Sequence, residues 1–113
     1  MPLTAERCEA CHKGALQVPA DQVPELLREI PDWSLIEADG VNQLQRVFRI
    51  KGWLPAVAFT NEVAATADAE DHHPAILTEW GRVTVTWWTH AIKGLHRNDF
   101  IMAAKTDELF AKP

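Results

Sequence analysis

Apolar residues first take a helical rhythm at Val23, Leu26, Leu27 and Ile30, where spacings of three and four predict a short helix. Asp21 is its expected N-cap and Pro31 its stop. Apolar runs at Trp33–Glu37 and Val41–Ile50 then flank Asp39-Gly40, a dipeptide suited to a tight turn, and predict a β-hairpin. Along its second strand Leu44, Phe48 and Ile50 share one face and Gln43, Gln45 and Arg49 the other, so one side of the sheet should meet water. From Gly52 to Glu70 the period returns to that of a helix, with Pro55 tolerated in the first turn and a stripe of Ala56, Phe59, Val63 and Ala67 facing the sheet. That helix must end near Asp71–His73, because Pro74 disfavours helical geometry at the residue before it. A second hairpin follows, Ala75–Thr78 and Arg82–Thr89 turning at Trp80-Gly81, with Val83, Val85 and Trp87 alternating against Thr84, Thr86 and Trp88. After Gly94, Asn98-Asp99 opens a last helix carrying Phe100, Ile101, Ala104, Leu109 and Phe110. The predicted order is α-β-β-α-β-β-α.

Composition narrows what such a fold can be. A chain of 113 residues suits one domain, taken as residues 20–113, with Met1–Pro19 as a flexible N-terminal segment. Hydrophobic residues at 47% and charged residues at 24% suit a packed core rather than disorder. A net charge of −5 argues against binding nucleic acid or an anionic membrane surface. No run approaches the roughly 20 apolar residues of a membrane span. The N-terminus carries Glu6, Arg7, Glu9 and His12 where a signal peptide would be apolar, which predicts a cytoplasmic protein. Cys8 and Cys11 are too close together to cross-link distant parts of a fold. Cys8-Glu9-Ala10-Cys11-His12 fits a haem-attachment spacing, but haem attachment needs export and a haem pocket. A zinc knuckle would need a second ligand pair and a redox pair a βαβ context, so an incidental tail is the larger share.

The densest titratable cluster is Asp68, Asp71, His72 and His73 before Pro74, at the point where a helix must break into a strand. Helix ends offer partial negative charge that favours a protonated imidazole, and Asp68, four residues before His72, can hold that ring if the last turn persists. His90 closes the following hairpin, so the sheet can bring it towards His72 and His73 across one pocket, with Trp80 or Trp88 as an aromatic wall. Three imidazoles and two carboxylates suit proton transfer near neutral pH. The plainer alternative is that these histidines only cap a helix and bond a loop. A metal site is a rival, weakened because neighbouring residues in extended chain point apart. His96 stands alone and is read as structural.

The run from Asp68 to Asp99 resembles the pterin-4a-carbinolamine dehydratase family, known in animals also as a dimerisation cofactor of a homeodomain transcription factor. Its spaced pattern of an acid, His-His-Pro, an aromatic, a histidine and an aspartate is met by Asp68, His72-His73-Pro74, Trp80, His90 and Asp99. Pro31-Asp32-Trp33, Phe48-Arg49-Ile50-Lys51, Gly94-Leu95 and Asn98-Asp99 extend the similarity to about Asp21–Phe110. Cys8–His12 lies outside it. The resemblance implies an α+β domain, a four-stranded antiparallel sheet with helices packed on one face, assembling as homodimers or homotetramers. It implies removal of water from 4a-hydroxytetrahydropterin to give quinonoid dihydropterin, recycling the cofactor of aromatic amino acid hydroxylases such as phenylalanine hydroxylase, with no metal or organic cofactor. His72, His73 and His90 are the expected catalytic residues. His72 and His90 would move the protons and His73 orient the pterin. Asp68, Trp33, Trp88 and Asp99 would bind or orient it, although Asp68 is one methylene shorter than the glutamate common there. The alternative function is a non-catalytic oligomerisation or partner-binding module.

Overall fold

Asp39 and Gly40 both take positive φ, 52° and 77°, as a two-residue hairpin turn requires. They join β1 (Ser34–Ala38) to β2 (Val41–Arg49) in the register Ala38 to Val41 through Ser34 to Gln45. The computed structural model describes residues 3–6, 8 and 17–111. Gly81, at φ 83°, turns β3 (Ala75–Glu79) into β4 (Arg82–Trp87). The hairpins pair through β2 and β4, giving one antiparallel sheet in the order β1-β2-β4-β3.

Three helices, α1 (Val23–Leu27), α2 (Leu54–Ala69) and α3 (Arg97–Ala111), lie on one side of this sheet, so the fold is α+β as expected. The predicted stripe on α2, Ala56, Phe59, Val63 and Ala67, is buried against Leu44, Phe48, Val83, Val85 and Trp87 from the sheet. Helix α3 is more deeply sunk than its sequence suggests, with Asn98–Ala104 all buried. Val47 and Leu77 remain exposed on the sheet's other face.

Some expectations are corrected. Helix α1 begins after Gln22 without a side-chain cap, and Asp21 is exposed; Pro24 in the first turn, with its φ already helical, takes over the starting role. Strand β4 ends at Trp87 rather than Thr89, because Thr89 bridges to Gly94 and His90–Ile92 forms a 3-10 turn. Alternation also puts Arg46 on the core face beside Leu44 and Phe48. Its guanidinium lies 4.4 Å over the Phe48 ring and binds Asp107 Oδ1 at 2.6 Å. Burial pushes the Asp107 carboxyl up, against the opposing pull of its Trp33 and Arg46 donors.

Leu3, in a 3-10 turn at Leu3–Ala5, is 2% exposed and belongs to the core. Arg97 grips Glu6 through two nitrogens at 2.9 and 2.7 Å, and the Cys8 backbone N–H donates to Glu70 Oε1. Cys11 and His12 lie outside the described residues. No helix among the described residues is long and apolar enough to cross a membrane.

Candidate active site

The end of α2 determines where the two adjacent histidines go. Asp71 adopts φ 51°, its N–H donates to Asp68 O, and the His72 N–H reaches back to Ala67 O, the paired bonds of a left-handed helix stop. The chain then leaves in extended geometry, and successive side chains point to opposite sides. His72 turns inwards and is 5% exposed, whereas His73 is exposed.

His72 Nε2 lies 2.6 Å from Asp99 Oδ1 on the first turn of α3. The other carboxylate oxygen accepts from Thr89 Oγ1 at 2.8 Å and from the His96 backbone N–H at 2.9 Å. Asp99 is 0% exposed, and three donors are what allow a carboxylate to be buried there. An ionised carboxylate only accepts, so opposite one Nε2 of His72 is the donor. The imidazole also stacks on Trp87, with ring centroids 5.6 Å apart and planes 11° from parallel.

Asp99 serves the helix as well. His96 is the N-cap of α3, its Nδ1 accepting from the Asn98 N–H at 3.0 Å while Asp99 returns to the His96 N–H. This reciprocal pair is a capping box with histidine and aspartate in place of the usual residues. His96 is therefore structural, as the sequence suggested.

Asp68 does not hold His72. The left-handed residue Asp71 carries His72 away from the helix face, and Asp68 instead meets His73 Nε2 in a long 3.4 Å contact between exposed groups. That pair borders a shallow depression of about 550 Å³ lined by Asp68, His73, Pro74, Ile76 and alanines of α2. His90, exposed in its 3-10 turn, packs on Trp88 with centroids 4.4 Å apart. Its chain neighbour Thr89 bonds Asp99, which in turn bonds His72, but His90 itself does not line the depression with His73.

Trp33 is placed elsewhere. It is buried edge-on to Phe48 and donates to Asp107 Oδ1 at 2.8 Å, about 12 Å along α3 from Asp99. Sequence reasoning overlooked Thr89, Trp87 and the His96 backbone. Only the last left a signal, an acid three residues after a possible cap. Among the described residues no group of three or more His, Cys, Asp or Glu is arranged to hold a metal ion.

The family described as pterin 4 alpha carbinolamine dehydratase matches residues 17–109, a span that includes the whole sheet and every residue of the cluster. A solved structure similar to this chain is described as a transcriptional coactivator/pterin dehydratase from Brucella melitensis. The two are 30% identical, superpose with a TM-score of 0.76, and the match covers 83% of this chain and 98% of the other. On the extent of that match, the chain belongs to the pterin 4 alpha carbinolamine dehydratase family.

Proposed function

We propose that the chain removes water from 4a-hydroxytetrahydropterin to give quinonoid dihydropterin, by acid and base catalysis from histidine. In this step the C4a–O bond breaks, the hydroxyl leaves as water after gaining a proton, and N5 loses its proton as the C4a–N5 double bond forms. No electron is exchanged with a partner, so two proton transfers are the whole of the chemistry.

The observation that carries the reading is the 2.6 Å contact of His72 with the buried Asp99. A carboxylate behind an imidazole sets its tautomer and stabilises the imidazolium formed when the ring takes a proton. His72 is accordingly the base towards N5 and His90, with Trp88 against its ring, the acid towards the leaving hydroxyl. His73, exposed beside Asp68, orients the pterin. Trp88 forms a wall, while the core position of Trp33 gives it a supporting role only. Recycling of a hydroxylase's spent pterin in the cytoplasm, by a homodimer or homotetramer, completes the reading.

Stopped-flow absorbance of 4a-hydroxytetrahydropterin, generated by phenylalanine hydroxylase, tests it against the uncatalysed dehydration. His72→Ala and His90→Ala should each slow the step by about 10²–10⁴-fold, the range for a positioned acid or base, and the double variant should leave only the baseline. Full activity in a folded double variant overturns the mechanism. No acceleration by the unaltered protein overturns the function.

A second reading is a partner-binding module. Its support is apolar surface left uncovered, Leu54 at 74%, Trp80 at 72% and Leu77 at 58% exposure, and the coactivator description of the similar Brucella protein. Oligomers that exchange subunits with a helical partner, without pterin turnover, would favour it.

A further inference from the structure

His90 owes its position to the backbone that carries it. Its ring packs on Trp88 and makes no hydrogen bond or ion pair among the described residues. Residues His90–Lys93 project from the bridge between Thr89 and Gly94, where the Thr89 N–H donates to Gly94 O at 2.8 Å. Beyond that base the turn is weakly made. The Ile92 N–H reaches Thr89 O and the Lys93 N–H reaches His90 O over 3.4 Å each, and Lys93 takes φ 49°, in the left-handed region.

Gln17 holds this turn from outside. The Val18 N–H donates to Leu95 O at 2.9 Å and fixes that stretch of backbone beside the loop. From there the Gln17 side chain crosses Gly94, and its Nε2 donates at 3.3 Å to Ile92 O, the last carbonyl of the 3-10 turn, which has no partner within it. Among the described residues this is the one hydrogen bond that reaches His90–Lys93 from outside Thr89–Gly94. Gly94 makes the crossing possible. A Cβ there would stand 2.8 Å from Gln17 Cδ and Oε1 and 3.0 Å from Nε2, closer than such atoms pack.

We propose that Gln17 is a positioning residue for His90, acting through Ile92 O across the bare Gly94. This rests on the reading above that His90 delivers a proton to the leaving hydroxyl. The bond is single, neutral and exposed, so it adds little to the stability of the whole fold. Its effect falls on the four residues of the turn, and so on where the imidazole sits. The base of the turn is held separately, by Thr89 on Asp99.

The test uses the full chain with Gln17→Glu, Gln17→Ala, Gly94→Ala and the double variant of the last two. Dehydration kinetics are read together with the His90 ring proton resonances, identified by their loss in His90→Gln and displaced by the ring current of Trp88. Both Gln17 variants remove the donor to Ile92 O, and Gln17→Glu does so at constant shape. Each should lower kcat about fivefold with KM little changed, as expected when a reacting group is misplaced by a fraction of an ångström, and each should move the His90 resonances. Gly94→Ala should do the same by pushing the amide aside, at small cost to the fold because the added methyl meets the end of a flexible side chain. With Ala at position 17 the methyl has room, so Gly94→Ala should then cost nothing further, the coupling expected of residues in contact. The Gln17 variants change an exposed side chain and decide the matter should Gly94→Ala fail to fold. The proposal is overturned if Gln17→Glu or Gln17→Ala keeps either the kcat or the His90 resonances of the unaltered protein, or if Gly94→Ala costs as much beside Gln17→Ala as it does alone. An unaltered protein with no dehydratase activity would overturn the function instead, and the resonances would still decide whether Gln17 places His90.

Discussion

At the scale of single residues, Asp99 concentrates the most consequence. Its two oxygens serve a candidate base, a threonine beside a candidate acid, and the first backbone N–H of a helix. Asp99→Asn separates these duties. The amide oxygen can still accept from Thr89 and His96, but the amide nitrogen then faces His72 and needs an acceptor there, which reverses the imidazole tautomer. Dehydration should fall by about 10²–10⁴-fold, as when the carboxylate behind a catalytic histidine is lost. The protein should stay folded; kcat and a urea melt on the same preparation check both halves.

At the scale of elements, the stop at the end of α2 is built from an unfavourable residue. Asp71 holds φ 51°, a conformation that favours glycine, and places a negative charge at the negative end of the helix. Both costs disappear in Asp71→Gly while the returning bonds of Asp71 and His72 can persist, since they use only backbone atoms. The variant should be more stable by about 0.5–1 kcal/mol, read as a higher midpoint in urea. A lower midpoint would mean that the Asp71 side chain contributes more than its backbone strain costs. The first hairpin has no such conflict, because Asp39-Gly40 supplies the two positive φ angles its turn demands.

At the scale of the whole molecule, residues 3–6 close over α3. Leu3 enters the core, Lys105 Nζ donates to Thr4 O, and Glu6 meets Arg97. The Arg97 hydrogen bonds hold the Glu6 carboxyl below its ordinary pKa. A carboxyl lowered by folding stabilises the fold above the ordinary value of 4.5, and that contribution is lost as pH falls through the lowered value. Glu6→Gln should thus lower stability at neutral pH by less than about 1 kcal/mol, since the pair is partly exposed and screened. In acid well below both values the variant and the unaltered protein should unfold alike. Thermal melts at the two pH values measure the difference.

What the sequence determined by itself is what neighbours within a few residues decide. Periods of two and of three to four, Asp39-Gly40, Pro55 and Pro74 placed both hairpins and α2, because turn geometry and helix breaking act locally. The spacing of His72-His73, His90 and Asp99 named the family before any packing was known. Tertiary structure decided the rest, where the partner is remote. His72 pairs with Asp99, 27 residues on, rather than with Asp68 on its own helix, since one left-handed residue redirects the chain. Arg46 reads as an error in a buried stripe until Asp107, 61 residues away, neutralises it. Trp87 looks like ordinary core and meets the His72 ring only once β4 and the end of α2 have packed together. Local pattern carries no information about such contacts, because they form only after the sheet and the helices have packed.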